Sequence, residues 1–191
     1  MTAGPATVAR SGVRLTMLAV VCVAMSLATR AAAPAPSGPL RAPNVVEISP
    51  QLVTAGQPSA EALAELGARG FGAVVYLVPP TAHDAVRDES TIVGRQGLVF
   101  VNLPIPFNEP TARDVETFFA ILRGLQDRKV LVHCQVNMRA STLVFLYRAI
   151  ALREDPRLAW DAVARVWSPG GPWKSLVQEQ LLVHKIDFDP F

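Results

Sequence analysis

Only two cysteines, Cys22 and Cys134, and three widely spaced histidines, His83, His133 and His184, occur among the 191 residues. No pair of them has the short spacing of a zinc ligand set, so neither a metal nor another cofactor is expected. Charge is also sparse: 18% of residues are Asp, Glu, Lys or Arg, and the formal net charge is +2. There is no basic run and no interleaving of basic with aromatic residues, which argues against nucleic acid as a partner. The apolar run from Leu15 to Leu27 is shorter than the roughly 20 residues a membrane-spanning helix needs. What is abundant is apolar: half of the residues are hydrophobic, which suits a packed globular core.

Arg10 and Arg14 precede that run, and "ATRAAAPAPSGP" follows it. A positive start, a short apolar middle and small residues at its end read as a secretory signal peptide over residues 1–33, cut between Ala28 and Ala33. An exported, periplasmic or secreted protein with no stable membrane span in its mature form follows; an uncleaved anchor is the second reading. Cys22 follows Val21, a residue bulkier than lipoprotein processing tolerates. Residues 34–43 are Ala/Pro/Ser/Gly-rich and read as a flexible linker, leaving 44–191 as the folded domain. Cleavage makes Cys134 the single remaining thiol. It then has no partner for a disulfide within the chain, and in an oxidising compartment it requires a chemical reason. The plain alternative is a small apolar residue closing a strand.

Along the domain, strands and helices alternate. "NVVEIS" (44–49), "QLVTAG" (51–56), "GAVVYLV" (72–78), "LVFVNLPI" (98–105) and "KVLVHC" (129–134) are apolar runs between turn signals, hence strands. Ser59 can cap a helix from Ala60 to about Arg69, ended by Gly70. Residues 84–96 have weak helical periodicity. Thr111 starts a helix whose stripe is Val115, Phe118, Phe119 and Leu122. "ASTLVFLYRAIAL" is a strongly apolar helix closed off by Pro156, and "RLAWDAVARVW" and Trp173 to about Lys185 are two more. Helical crossovers between strands imply a parallel arrangement. The fold class is therefore α/β, one domain with a central, mostly parallel sheet flanked by helices.

In such a sheet the ligand crevice lies beyond the carboxyl ends of the strands, and there the chain reads "HCQVNMRAS" (133–141). The loop runs into a helix, so successive N–H groups at residues 135 to 139 can converge on an anion, aided by the positive end of the helix dipole. The same field favours a cysteine thiolate, the nucleophilic form. Arg139 carries a planar fork suited to two phosphate oxygens, and Ser141 can hydrogen-bond the sulfur or assist its departure. Together these parts suit thiolate attack on phosphorus.

This stretch resembles the signature loop of the protein tyrosine phosphatase superfamily, in its compact, dual-specificity-like branch. "ISPQLVTAGQPSAEALAELGARGFGAVVYLVPP", "FVNLPIPFNEPTARDVETFFAIL" and "VHCQVNMRASTLVFLYR" together resemble the bacterial tyrosine-phosphatase-like family with a "GQPS" motif. The likeness runs from about Ile48 to Trp173. It implies a tyrosine-phosphatase-like fold and hydrolysis of phosphate monoesters through a phosphocysteine. Cys134 is then the nucleophile, with Gln135, Val136, Asn137, Met138 and Arg139 around the phosphate. The partner is a phosphorylated or other oxyanion substrate.

Two details depart from the superfamily pattern. It places five residues between Cys and Arg, whereas four stand here (Gln135 to Met138), while Ser141 keeps its usual separation from Cys134. Either the loop is one residue shorter, or the arginine sits one position earlier on an unchanged loop. The general acid is the second departure. The matching segment "PIPFNEPT" offers Asn108, which is no acid, and beside it Glu109, the candidate to take the acid's place; Asp84, Asp88 and Asp114 are further carboxyl groups of the region. Two rivals follow: an anion-binding module without turnover, and rhodanese-like sulfur transfer at the same cysteine. Of the remaining residues, His133 reads as structural, its ring bonded to backbone, and Gln57 as a turn residue or rim residue. Glu89 is a hydrogen-bonding brace of the crossover, and Trp167 and Trp173 pack the last two helices together.

Overall fold

A computed structural model describes residues 1–4 and 36–191. The leader expected over 1–33 lies outside the described residues, apart from its first four positions. Among the described residues, no helix is long and apolar enough to cross a membrane.

Five short runs rich in Val, Ile, Leu and Phe form the strands, the composition a pleated, covered surface favours. β1 (Val46–Ser49) doubles back antiparallel onto β2 (Leu52–Ala55). β3 (Ala73–Tyr76), β4 (Val99–Asn102) and β5 (Val130–His133) complete a sheet of order β1-β2-β5-β3-β4. Every pairing except β1–β2 is parallel. The fold class read from the alternation of elements therefore holds: one α/β domain with a mostly parallel sheet between helices.

Register fixes where the chemistry sits. His133 at the end of β5 lies beside Ala55 of β2 and Tyr76 of β3, and Tyr76 lies beside Asn102 of β4. The carboxyl ends of all four parallel strands are level, so the loops that follow them gather at one end of the sheet. Side chains alternate between two cores, as the pleat requires. Ala73, Val75, Val130 and Val132 face one core with Phe118, Phe145 and Trp173, while Val74 and Leu131 face the other with Leu63 and Leu66.

The helices differ from the sequence reading in two instructive ways. α1 is regular only over Ala60–Ala64, capped by the Ser59 hydroxyl, rather than to Arg69. The side chain of Gln96 explains the early end: its Nε2 donates to Leu63 O and its Oε1 accepts from Gly67 N, both at 2.8 Å. One amide side chain thus takes both halves of the bond that would have continued the helix. α2 (Glu89–Gly94) and α3 (Ala112–Gly124) follow. α4 (Met138–Leu146) runs into a π-helical turn over Tyr147–Ala151. α5 (Pro156–Ala164) and α6 (Gly171–Val183) end the chain. Pro156 does not close the preceding helix but opens α5, where its missing N–H has no consequence, with Asp155 as the cap.

Residues 36–43, expected as part of a flexible linker, are held against the domain. Leu40 is buried with the second core, Gly38 O accepts from Arg69 at 2.8 Å, and Arg41 reaches Glu65 at 3.1 Å. A single apolar residue among the prolines anchors the stretch, a signal that composition alone averages away.

Candidate active site

The Cys134 amide still belongs to the sheet, donating to Ala55 O at 3.2 Å. Beyond it the loop turns within three residues and α4 begins at Met138. The turn depends on Asn137, whose φ of 72° is left-handed, a conformation Asn tolerates better than most residues. Asn137 is buried, and its Nδ2 donates to Asn44 O at 2.6 Å and Thr54 Oγ1 at 3.0 Å. From behind, Asn44 Nδ2 donates to Val136 O at 3.0 Å and Gln57 N donates to Gln135 O at 2.9 Å. These bonds draw the loop carbonyls backward. The Gln135 and Val136 amides have no protein acceptor among the described residues, and those of Met138 and Arg139 open α4, where a helix leaves its first N–H groups unpaired. The result is a set of free donors at the positive end of a helix, the arrangement that holds an oxyanion.

The back of the loop leaves no room. A Cβ on Gly56 would lie 2.7 Å from Gln135 O and 2.8 Å from Pro43 Cβ. Gly56→Ala must push the loop or the Pro43 turn aside, and a loss of about 1–3 kcal/mol is expected for such overpacking. Thermal unfolding and a weaker rise of the melting temperature with added phosphate are the measurements that check it.

Arg139 lies in the first turn of α4, which begins at Met138 after a loop that turns at Asn137. It does not reach bulk water. The guanidinium is buried; its Nε donates to Ile105 O at 3.0 Å, it lies 5.0 Å from the centre of the Phe107 ring, and its Nη1 reaches Gln135 Oε1 at 3.4 Å. It therefore bridges the loop after β4 and the Cys134 loop. Ile105 and Phe107 were not singled out from sequence, since a backbone carbonyl carries no sequence signature and one aromatic residue looks like core.

Ser141 is placed differently from its expected role. Its hydroxyl donates to Met138 O at 3.2 Å, because the carbonyl one turn back is within reach of a helical serine; its proton is not directed to the thiol. Gln135 and Met138 are half-buried, and Val136 is exposed at the rim. Cys134 itself is wholly buried and carries no disulfide.

Among the carboxyl groups, Glu109 is exposed on the loop after β4, beside Asn108, and no hydrogen bond ties Glu109 to the Cys134 loop among the described residues. Asp114 completes the N-terminal cap of α3 with Thr111, which removes it from consideration. Asp88 stands at the start of α2 without a side-chain capping bond. Asp84, on the loop after β3, is the carboxylate brought to the site: its Oδ1 accepts from Gln135 Nε2 at 2.9 Å.

Beneath the loop lies a second polar group. His133 Nε2 meets Glu89 Oε1 at 2.6 Å, with both side chains buried, and Glu89 Oε2 accepts from Gln57 Nε2 at 2.9 Å. The histidine ring is thus held by a side chain, not by backbone as read from sequence, and it stacks on Tyr76 at 4.8 Å. Burial pushes the Tyr76 phenol up to about 12, assisted by the negative charges of Glu89, Asp84 and Cys134 and opposed by Arg139. Trp167 and Trp173 do more than pack helices. Both rings lie 5.9 Å from Phe107, and Trp173 Nε1 donates to Phe107 O at 2.8 Å, fixing the loop that receives Arg139.

Residues 44–166 match the model of a family described as "DSP-PTPase phosphatase fused to NAD+ Kinase". The chain belongs to this family. A dual-specificity-type phosphatase family is what the loop, its cysteine and its arginine led one to expect. No curated protein matches the sequence. Among solved structures, a DUF442 protein of Shewanella putrefaciens CN-32, described as a candidate phosphatase, is 28% identical, with a TM-score of 0.69 over 75% of this chain and 94% of its own. Tk-PTP in its active form is 23% identical with a TM-score of 0.59, over 76% of this chain and 99% of its own. TpbA of P. aeruginosa is 18% identical with a TM-score of 0.57, over 77% of this chain and 98% of its own. The last two extend the shared fold of this phosphatase family to more distant proteins.

Proposed function

We propose that the chain hydrolyses phosphate monoesters in two steps, with Cys134 as the attacking atom and a phosphocysteine between them. The observation that carries this reading is the convergence, at the start of α4, of unpaired loop amides, the buried Arg139 fork and the only thiol in the described residues. The amides of residues 135 to 139 and the guanidinium neutralise charge on the transferring phosphoryl group, which is the main demand of phosphoryl transfer. Because Cys134 is fully covered, a substrate reaches it only after side chains at the rim part. The contact at 3.4 Å between Arg139 and Gln135 is long for a hydrogen bond and the easiest to give way to phosphate oxygens.

A relative of the same fold, TpbA carrying a cysteine-to-serine exchange, has been captured with phosphotyrosine, and a phosphorylated side chain or another phosphate monoester is the substrate class inferred here. The leader pattern over residues 1–33 supports export, so substrates outside the cytoplasm fit best.

Acid quenching during turnover of an aryl phosphate, followed by peptide mass spectrometry, is expected to find phosphate on the peptide carrying Cys134. Turnover with that peptide unmodified, and phosphate elsewhere, would contradict the mechanism.

A further inference from the structure

The geometry points to Asp84 as the proton donor to the leaving oxygen, in place of any carboxyl group on the loop after β4. This rests on the phosphocysteine reading above and adds the acid that it lacks.

The loop after β4 presents the wrong chemistry toward the arginine. Ile105 offers a carbonyl to the Arg139 Nε and Phe107 an aromatic face to its guanidinium, while Trp173 ties the backbone of Phe107 down. Asn108 cannot donate as an acid, and Glu109 takes no part in these contacts and stands in the exposed part of the loop. The other side of the cradle is different. The Gln135 carboxamide directly follows the nucleophile and spans Asp84 at 2.9 Å and Arg139 at 3.4 Å. A carboxyl group and the phosphate-holding guanidinium are thus one amide group apart. Asp84 Oδ1 accepts from Gln135, which leaves Oδ2 free to carry a proton. The side chain is 31% exposed, and His83 Nδ1 lies 3.8 Å from its Oδ1.

The steps balance. In the first, the Cys134 sulfur forms a bond to phosphorus as the bond from phosphorus to the ester oxygen breaks. Asp84 gives its proton to that oxygen, so the alcohol or phenol leaves neutral and Asp84 is left as the carboxylate. In the second, water attacks phosphorus and Asp84 takes a proton from it. The sulfur–phosphorus bond breaks, the thiolate returns and inorganic phosphate departs. A positioned acid contributes about 10² to 10⁴ in rate, and its share grows as the leaving group becomes more basic.

The test compares Asp84→Asn with the unmodified chain on two aryl phosphates, one with a good leaving group (4-nitrophenyl) and one with a poor one (phenyl). The asparagine keeps an acceptor for Gln135, so the fold and the rim contact stay. The expected result is a loss in kcat of about 10²-fold or more on phenyl phosphate and a much smaller loss on 4-nitrophenyl phosphate, with an unchanged melting temperature. A kcat on phenyl phosphate within about threefold of the unmodified chain overturns the assignment, because a positioned acid is worth far more. An equal loss on both substrates overturns it too, since it marks a binding or folding effect. Should the unmodified chain release no phosphate from either substrate, the phosphatase reading itself fails and the assignment with it.

Discussion

Cys134→Ser is expected to lower aryl phosphate hydrolysis by about 10⁴-fold or more, the scale on which removal of a covalent nucleophile acts. The chemistry of the first step is the reason. Thiolate sulfur is the nucleophilic form of cysteine, whereas a serine hydroxyl is a weak nucleophile without an adjacent base. The cradle does not depend on the sulfur. Its amides are held from behind by Asn44, Thr54 and Gln57, and Arg139 is held by Ile105, so the variant should still bind phosphate. Inorganic phosphate is therefore expected to raise the melting temperature of the variant nearly as much as that of the parent. The substitution buries a hydroxyl where the thiol has no exposure, which costs about 1–3 kcal/mol; the loss of rate is far larger than any change in the folded fraction explains. Equal rates for the two proteins would remove Cys134 from the mechanism, and loss of the phosphate-dependent shift would move the anion site elsewhere.

The fold was legible because its signals are local and repeated. Runs such as "GAVVYLV" and "KVLVHC" carry an unbroken apolar centre, the composition of a strand covered on both faces; β3 and β5 are indeed buried at every position. The end of α1 was not legible, because it is set by Gln96, which lies 33 residues beyond the Leu63 carbonyl it takes. The same division runs through the site. Cys134, Arg139 and the helix start are contiguous in sequence and could be read as one device. Ile105, Phe107 and Asp84 come from loops after other strands, and only the level register of the strand ends brings them to the cysteine. The direction of Arg139 was not legible for a related reason: it is set by the Ile105 carbonyl, 34 residues earlier, and by the Phe107 ring. Ser141 shows the converse error, a residue at the right spacing whose hydroxyl is taken by its own helix.

Glu89→Ala is expected to be the most destabilising single change in the domain's polar interior, by about 3–5 kcal/mol. That corresponds to a fall in melting temperature of roughly 6–20 °C for a domain of this size. Glu89 is 3% exposed and joins three elements: α2 through its own backbone, β5 through His133, and the turn before α1 through Gln57. Its removal leaves His133 Nε2 without a partner and Gln57 Nε2 with only the 3.4 Å contact to Pro58 O, and a buried orphan costs about 1–3 kcal/mol. His133 Nδ1 already lacks a partner, so the ring would lose its only polar anchor and be left to the stacking contact with Tyr76. Glu89→Gln is the informative companion, since its carboxamide can still accept from one neighbour while losing the second acceptor. It should recover about half of the stability, and differential scanning calorimetry on the three proteins measures the order. Because His133 precedes Cys134 directly, the alanine variant should also lose phosphatase activity in samples kept well below its melting temperature. A variant that loses stability but keeps full turnover would show that the pair braces the crossover without positioning the nucleophile.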